Sequence, residues 1–260
     1  ALCVKSRQTE VEAGMTEIKY LDGPNGHRLA YARTDGDGPV IVFLSGYKSD
    51  MEGTKAVHLE AWAKLTGRAF LRLDYSGHGV SGGVFEEGCI GDWARDAQAV
   101  IEASCDGPVV LVGSSMGGWI ASLLTKRLSG VVGFVGIAAA PDFTEDGFWA
   151  GFSDEDRRKV MEDGQVALPS DYGDPYIVTR RLIEDGRKNL VLRSPLHMPY
   201  PVRLVQGTED TAVSRETALK LLDHIESPDL RLTLVKGTDH RFSEPQNLRH
   251  IEDAIMEVLA

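Results

Sequence analysis

The stretch PVVLVGSSMGGWIASLL, residues 108–124, changes character in its middle. Val109–Val112 is a short run of β-formers, whereas from Met116 onward the text is helical in pattern. Between them, Gly113-Ser114-Ser115-Met116-Gly117 fits Gly-x-Ser-x-Gly in one register only, because centring it on Ser114 would need glycines where Val112 and Met116 stand. A nucleophile at a sharp strand-to-helix turn is held in a strained backbone conformation, and side chains two residues to either side would strike the neighbouring strand and helix. Ser115 is therefore the candidate nucleophile. A serine alone is weakly nucleophilic, so the rest of the chain must supply a base and a group that orients it.

The chain has seven histidines. His58, His224 and His250 fall within helical patterns, and His27 belongs to an N-terminal hairpin. His240 directly follows the last strand-like run in the loop GTDHRFSEP, where a ring can swing over the nucleophile; His197, in SPLHMP, is the second candidate. For the acid, Asp210 lies three residues beyond Gly207 at the end of the strand PVRLVQG, with Glu209 beside it. Asp142, just after the strand ending GIAAAP, is its rival. Ser115, Asp210 and His240 then occur in the order nucleophile, acid, histidine. The oxyanion donors expected from position are the backbone N–H groups of Met116, the residue after the nucleophile, and of Tyr47, in the loop SGYKSDMEG after the strand VIVFL.

Outward from this turn, strand and helix alternate. VIVFLSG is a continuous apolar run of the sort buried on both faces of a sheet. TKAVHLEAWAKL is helical, with Ala56, Leu59, Trp62 and Ala63 on one face. AFLRLDY, VVGFVGIAAA, PVRLVQG and LRLTLVKG read as strands; IGDWARDAQAVIEAS, MGGWIASLLTKRL, SRETALKLLDHI and NLRHIEDAIMEVL read as helices. EIKYL and HRLAYART form a hairpin across DGPNG. The fold class is α/β, a mostly parallel eight-stranded sheet with helices on both faces. The rhythm breaks over residues 142–199, too long for an ordinary connection. That segment is read as a cap inserted over the C-terminal edge of the sheet, where open α/β sheets bind ligands. Within it, SDEDRRKVMEDG is a helix capped by Ser153, QVAL and YIVT pair, and RRLIEDGRK is a short helix. The expected organisation is a loose tail over 1–15, a core over 16–141 and 200–260, and a cap over 142–199. Phe143, Phe148, Trp149 and Phe152 either line an apolar acyl pocket under the cap or form the cap's own core.

Composition narrows the function. The 260 residues carry a formal net charge of −11, which argues against a nucleic-acid partner. No run approaches the ~18 apolar residues of a transmembrane helix. The chain begins with Ala, so a leader could have been trimmed from it. Three cysteines, Cys3, Cys89 and Cys105, lack Cys-x-x-Cys spacing and read as reduced thiols of an intracellular protein. No metal-ligand spacing is present, and neither a metal nor another cofactor is expected. Gly77-His78-Gly79-Val80-Ser81-Gly82 spells a dinucleotide-binding motif, but no helix follows and no acidic residue closes a second strand. Asp74 and His78 are instead expected to be structural.

With these residues in place the chain resembles the α/β-hydrolases over nearly its whole length after Met15. More closely, LSGYKSDMEGTKA, RLDYSGHGVSGG, GDWARDA, VGSSMGGW, HMPYPVRLVQGTEDTAV and DHRFS resemble the abhydrolase-domain protein ten group. That resemblance implies an α/β-hydrolase fold with a cap between strands six and seven, a mitochondrial serine hydrolase that removes S-palmitoyl groups from proteins and cleaves acyl glucuronides, and Ser115, Asp210 and His240 in the roles reached above. The expected activity is hydrolysis of esters or thioesters through an acyl-serine intermediate, without cofactor, on a small molecule or an acylated protein. A small peptidase or amidase and a non-catalytic binding protein are the alternatives. The expected location is cytoplasmic, or the mitochondrial matrix if a leader has been removed.

Overall fold

The computed structural model describes residues 16–169 and 175–260. The tail expected over residues 1–15, Cys3 with it, and residues 170–174 inside the expected QVAL/YIVT turn lie outside the described residues.

The chain enters through a hairpin, β1 (Ile18–Asp22) and β2 (Arg28–Thr34), with Tyr20 opposite Ala30. There follow β3 (Asp37–Leu44), α1 (Thr54–Leu65), β4 (Arg68–Leu73), α2 (Ile90–Ser104), β5 (Val109–Ser114), α3 (Met116–Leu124) and β6 (Val131–Ile137). Next come a π-helical turn, Phe143–Trp149, then α4 (Asp154–Arg158), β7 (Gln165–Leu168), β8 (Tyr176–Thr179), α5 (Arg180–Lys188) and β9 (Leu196–His197). The chain ends with β10 (Val202–Gly207), α6 (Arg215–His224), β11 (Ile225–Glu226), β12 (Leu230–Val235) and α7 (Pro245–Leu259). Eight strands form one sheet in the order β1-β2-β4-β3-β5-β6-β10-β12. Its first two pairings are antiparallel and the rest parallel, as the alternating pattern requires.

The central strands are apolar throughout because both of their faces are covered. Ile41, Phe43, Val110 and Val112 pack on one side with Ala56 and Leu59 of α1 and Ile251 and Ile255 of α7. Their neighbours in sequence, Val42, Leu44 and Leu111, point the other way, against Trp93 of α2 and Trp119 and Ile120 of α3. One buried residue of α1 is not apolar. Glu60 is ion-paired to Arg72 at 3.1 Å and accepts the Thr34 hydroxyl at 3.0 Å, while Arg72 also donates to the Met51 carbonyl at 2.8 Å. α3 ends at Leu124, short of the expected helical run, where the Thr125 hydroxyl donates to the Ser122 carbonyl at 2.8 Å. Such a side chain competes with backbone bonding at a helix end.

All eight sheet strands lie outside residues 142–199. Within that segment Ser153 caps α4 by accepting from the Asp156 amide at 3.1 Å, and Asp156 accepts in return from the Ser153 amide. β7 and β8 pair antiparallel, with Val166 opposite Val178. Cys89 is a buried free thiol, pushed up to about 12 by burial, and Cys105 is a half-buried one.

Candidate active site

Ser115 lies between the C-terminal end of β5 and the first residue of α3, with φ 54° and ψ −119°. Such a conformation is strained for a residue with a Cβ and persists only where its surroundings fix it. Here the Ser115 N–H donates to Ile137 O at 2.9 Å, and its carbonyl accepts from Gly118 at 2.9 Å and from Ala140 at 3.0 Å. The flanking glycines are needed for close approach. A Cβ at Gly113 would stand 2.4 Å from the Gly117 carbonyl oxygen, and one at Gly117 would stand 2.0 Å from that of Leu44.

The ends of β10 and β12 bring the remaining residues to this turn. His240 Nε2 is 3.1 Å from Ser115 Oγ, and its Nδ1 is 2.8 Å from Asp210 Oδ2. The Asp210 carboxylate is fully buried and also accepts from the amides of Ala212 and Val213 at 2.9 and 2.8 Å, and from Gln206 Nε2 at 3.0 Å. Burial alone would raise its pKa. The hydrogen bond and charge of His240, with the Val213 and Gln206 donors, outweigh that and hold it below the ordinary carboxylate value. An ionised Asp210 can only accept, so the proton on neutral His240 sits on Nδ1 and the lone pair of Nε2 faces the serine hydroxyl.

The His240 loop is pinned from both sides. Phe242, with φ 52°, is fully buried in the core beneath it, and Lys55 of α1 donates its ammonium to the Arg241 carbonyl. Burial, helped by Arg241 and opposed by Asp239, lowers the pKa of Lys55 to about 8. The β3–α1 loop runs over Ser115 closely enough that a Cβ at Gly46 would stand 3.3 Å from the serine Cβ. Tyr47 and Met116 therefore border the nucleophile from two sides. Below that loop, the Tyr75 hydroxyl donates to the Ser45 carbonyl at 3.2 Å. Asp74 accepts from the amides of Met51 and Val80 at 2.7 and 3.0 Å, and His78 lies buried with rings of Tyr75, Phe85 and Trp93 within 5.3 Å. Both are framework residues. Burial depresses the His78 pKa to about 4, and its Nδ1–H donates to the Ser76 carbonyl.

Other candidates stand elsewhere. Asp142, the rival acid, is fully buried at φ 58°, where its carboxylate accepts from the amides of Val191 and Leu192 at 2.8 and 2.9 Å and from Arg193 at 3.1 Å. It therefore ties the start of the 142–199 segment to its end. His197 is exposed on β9, 3.8 Å from Glu226. Glu209 bonds through its amide to the Thr238 carbonyl. The four aromatic residues divide in two. Phe143 and Phe148 pack edge-on to Tyr47 at 5.7 and 6.1 Å, whereas Trp149 lies under the Arg187 guanidinium at 4.3 Å and against Phe152. Gln206 is the residue sequence reasoning missed; its only signal is an amide near the end of a strand that is buried throughout.

Among the described residues, no group of His, Cys, Asp and Glu is placed to hold a metal ion, and no helix is long and apolar enough to cross a membrane. A cleft of about 520 Å³, bordered by Asn25, Glu86, Asp92 and Arg181, includes none of Ser115, Asp210 and His240. A smaller cavity of about 200 Å³ lies between the Phe143–Trp149 turn and α6.

A family model described as "Alpha/beta hydrolase family" matches residues 41–250. The bovine (Bos taurus) mitochondrial palmitoyl-protein thioesterase ABHD10 is 35% identical over 240 residues, covering 90% of this chain and 77% of that relative. A crystal structure from Agrobacterium vitis S4 superposes with a TM-score of 0.90 at 38% identity, over 94% of this chain and 99% of that one. Mouse alpha/beta hydrolase domain-containing protein 10 gives 0.84 at 33% identity, over 93% and 99%. With its sheet order, its strained serine turn and these likenesses together, the chain belongs to the alpha/beta hydrolase family and is similar to the abhydrolase-domain protein ten group along nine-tenths of its length.

Proposed function

We propose that this protein is a serine hydrolase of acyl thioesters and esters. Ser115 is its nucleophile, His240 its general base and acid, and Asp210 the group that orients and balances the imidazole. The observation that carries the reading is the pair of hydrogen bonds linking Asp210, His240 and Ser115, at 2.8 and 3.1 Å, on a strained strand-to-helix turn.

Ser115 Oγ attacks the acyl carbonyl carbon while its proton passes to His240 Nε2. The carbonyl oxygen becomes an oxyanion, for which the backbone N–H groups of Met116 and Tyr47 are the donors; fixed backbone dipoles need no reorganisation as that charge develops. Collapse breaks the bond to the leaving group, which departs with the proton from Nε2 and leaves acyl-Ser115. Water, deprotonated by the same nitrogen, then releases the acid and restores the serine. Throughout, the ionised Asp210 favours the imidazolium. Because the step needs the Nε2 lone pair, only the neutral imidazole can act as the base, and the rate should rise as the medium is made less acid.

The substrate class follows the relatives, which are named palmitoyl-protein thioesterases, so the proposed substrate is an S-acylated cysteine. Their names also favour the mitochondrion over the cytoplasm as the site of action. Segment 142–199 is the proposed cap, resting on the core through Phe143 and Phe148 against Tyr47.

The test is hydrolysis of matched thioesters and oxyesters by wild type and by Ser115→Ala. The substitution should lower kcat/KM by at least ~10³-fold, the scale seen when a nucleophilic serine is removed. Full activity in the variant would refute the assignment, and inertness of both proteins across every ester would point to a binding protein.

A further inference from the structure

We propose that Lys48 is a positioning residue for the oxyanion amide: its ammonium ties the turn after β3 to β8, and segment 142–199 thereby holds the Tyr47 N–H in place. This rests on the hydrolase reading above and adds a residue to it. The turn is closed by the Ser49 N–H, which donates to the Gly46 carbonyl at 3.1 Å. In a trans peptide the N–H points away from the C=O, so the bond that turns the Gly46 carbonyl inward turns the Tyr47 N–H outward. The aim of the proposed oxyanion donor is therefore set by this turn. Its third residue is left-handed, a place that glycine usually takes, yet Lys48 stands there with φ 54°.

A residue with a Cβ keeps such a conformation only where its surroundings fix it. For Lys48 those surroundings come from the inserted segment and the Gly-rich loop. Its Nζ donates to the Pro175 carbonyl, just before β8, at 3.2 Å. The same ammonium stands 5.6 and 5.5 Å from the ring centres of Phe85 and Tyr176, within cation–π range. Tyr47, its neighbour in the chain, is held by the same strand. The Tyr47 hydroxyl donates to the Ile177 carbonyl at 3.4 Å, and its ring meets that of Tyr176 edge-on at 5.7 Å. On the other side of the turn a Cβ at Gly46 would stand 3.3 Å from that of Ser115. At that distance a small rotation of the turn changes where the Tyr47 N–H points relative to the nucleophile. Lys48 is itself exposed, so what it supplies is this tie and not core packing.

The experiment compares wild type with Lys48→Met and Lys48→Arg, both of which should fold because the position is exposed. Methionine keeps much of the stem and loses the charge and the donors. On a thioester whose turnover depends on Ser115, Lys48→Met should lower kcat by about 10-fold with KM little changed, a fraction of the loss that follows removal of a whole oxyanion donor. Lys48→Arg, which still offers N–H donors and a cation to the two rings, should recover most of that loss. An alkyl trifluoromethyl ketone separates positioning from a general effect on the fold. Ser115 Oγ adds to its carbonyl carbon, the serine proton passes to His240 Nε2, and the carbonyl oxygen becomes an oxyanion for the Tyr47 and Met116 amides. Its inhibition constant should weaken in Lys48→Met by the same ~10-fold as kcat, since the adduct carries the charge that the turn is held to meet. A Lys48→Met kcat equal to that of wild type, an unmoved inhibition constant, or a Lys48→Arg as slow as Lys48→Met overturns the proposal. Full turnover by Ser115→Ala, or no ester cleaved by wild type, would instead overturn the hydrolase reading. The tie is then read from amide hydrogen exchange at Ser49. Faster exchange in Lys48→Met than in Lys48→Arg supports it, and equal rates overturn it.

Discussion

Among single residues, Gln206 carries a prediction that the Ser-His-Asp pattern alone would not suggest. Its amide donates to Asp210 Oδ2 at 3.0 Å and to the Val213 carbonyl at 3.1 Å, so it holds both the acid and the loop that wraps it. Gln206→Leu removes one donor from a buried carboxylate, an interaction typically worth about 1.5–3 kcal/mol. It should lower kcat by roughly 10-fold with KM little changed, since Gln206 is bonded to the acid and its loop. The sign of the pH effect follows from the same bond. Asp210 is held below its ordinary value partly by that donor, so removing it raises the carboxyl pKa, and the more basic carboxylate moves the acid limb of the pH–rate profile upward. A pH–rate profile checks both, and a uniform drop at every pH with an unmoved acid limb would make the role of Gln206 merely structural. Asp210 could be proposed from the sequence because the chemistry asks for an acid just past a strand end. Gln206 could not, because a polar residue in a strand does not announce what it faces.

Elements were legible where both faces of a strand, or one face of a helix, are decided by burial. VVLV and VIVFL read as central strands because no polar residue could be tolerated on either side. The Gly77–Gly82 loop folds back on β2, with the Gly82 amide donating to the Arg28 carbonyl at 2.8 Å. What composition hid were the buried polar exceptions, Glu60 with Arg72 and Asp142 with its amides, whose partners are brought near only by the fold. His78, in the same Gly-rich loop, yields a stability prediction. Its pKa falls from 6.5 to about 4 on folding, so the unfolded chain takes up the proton first. Stability is therefore unaffected above pH 6.5 and declines as pH falls from 6.5 to about 4, by about 3 kcal/mol in all. Urea unfolding of wild type and His78→Phe across that window isolates the effect. The variant should show a shallower loss toward acid, and parallel curves would contradict a neutral, buried His78.

Across the whole molecule, Asp142 is the point where sheet and inserted segment are joined. The segment leaves the C-terminal end of β6 and re-enters the sheet at the N-terminal end of β10, its parallel neighbour, so the chain must cross back along those strands. Asp142 closes that loop by accepting from Val191 and Leu192, roughly fifty residues later in the chain, and Arg193 shares the carboxylate. Ala140, two residues earlier, bonds the Ser115 carbonyl, which puts the clasp and the proposed nucleophile on one short piece of backbone. Asp142→Ala leaves two buried amides without an acceptor, at a cost on the order of 1–3 kcal/mol for each. For a protein of this size that should lower Tm by ~4–15 °C. The loss should not be spread evenly. Regions held by few long-range contacts open first, and the inserted segment depends on this clasp more than the sheet does. Hydrogen exchange should therefore show early loss of protection over 176–188 while amides of β5 and β6 keep theirs. If protection fell equally in both, the segment and the sheet would be a single cooperative unit, and Asp142 would be a core residue rather than a clasp.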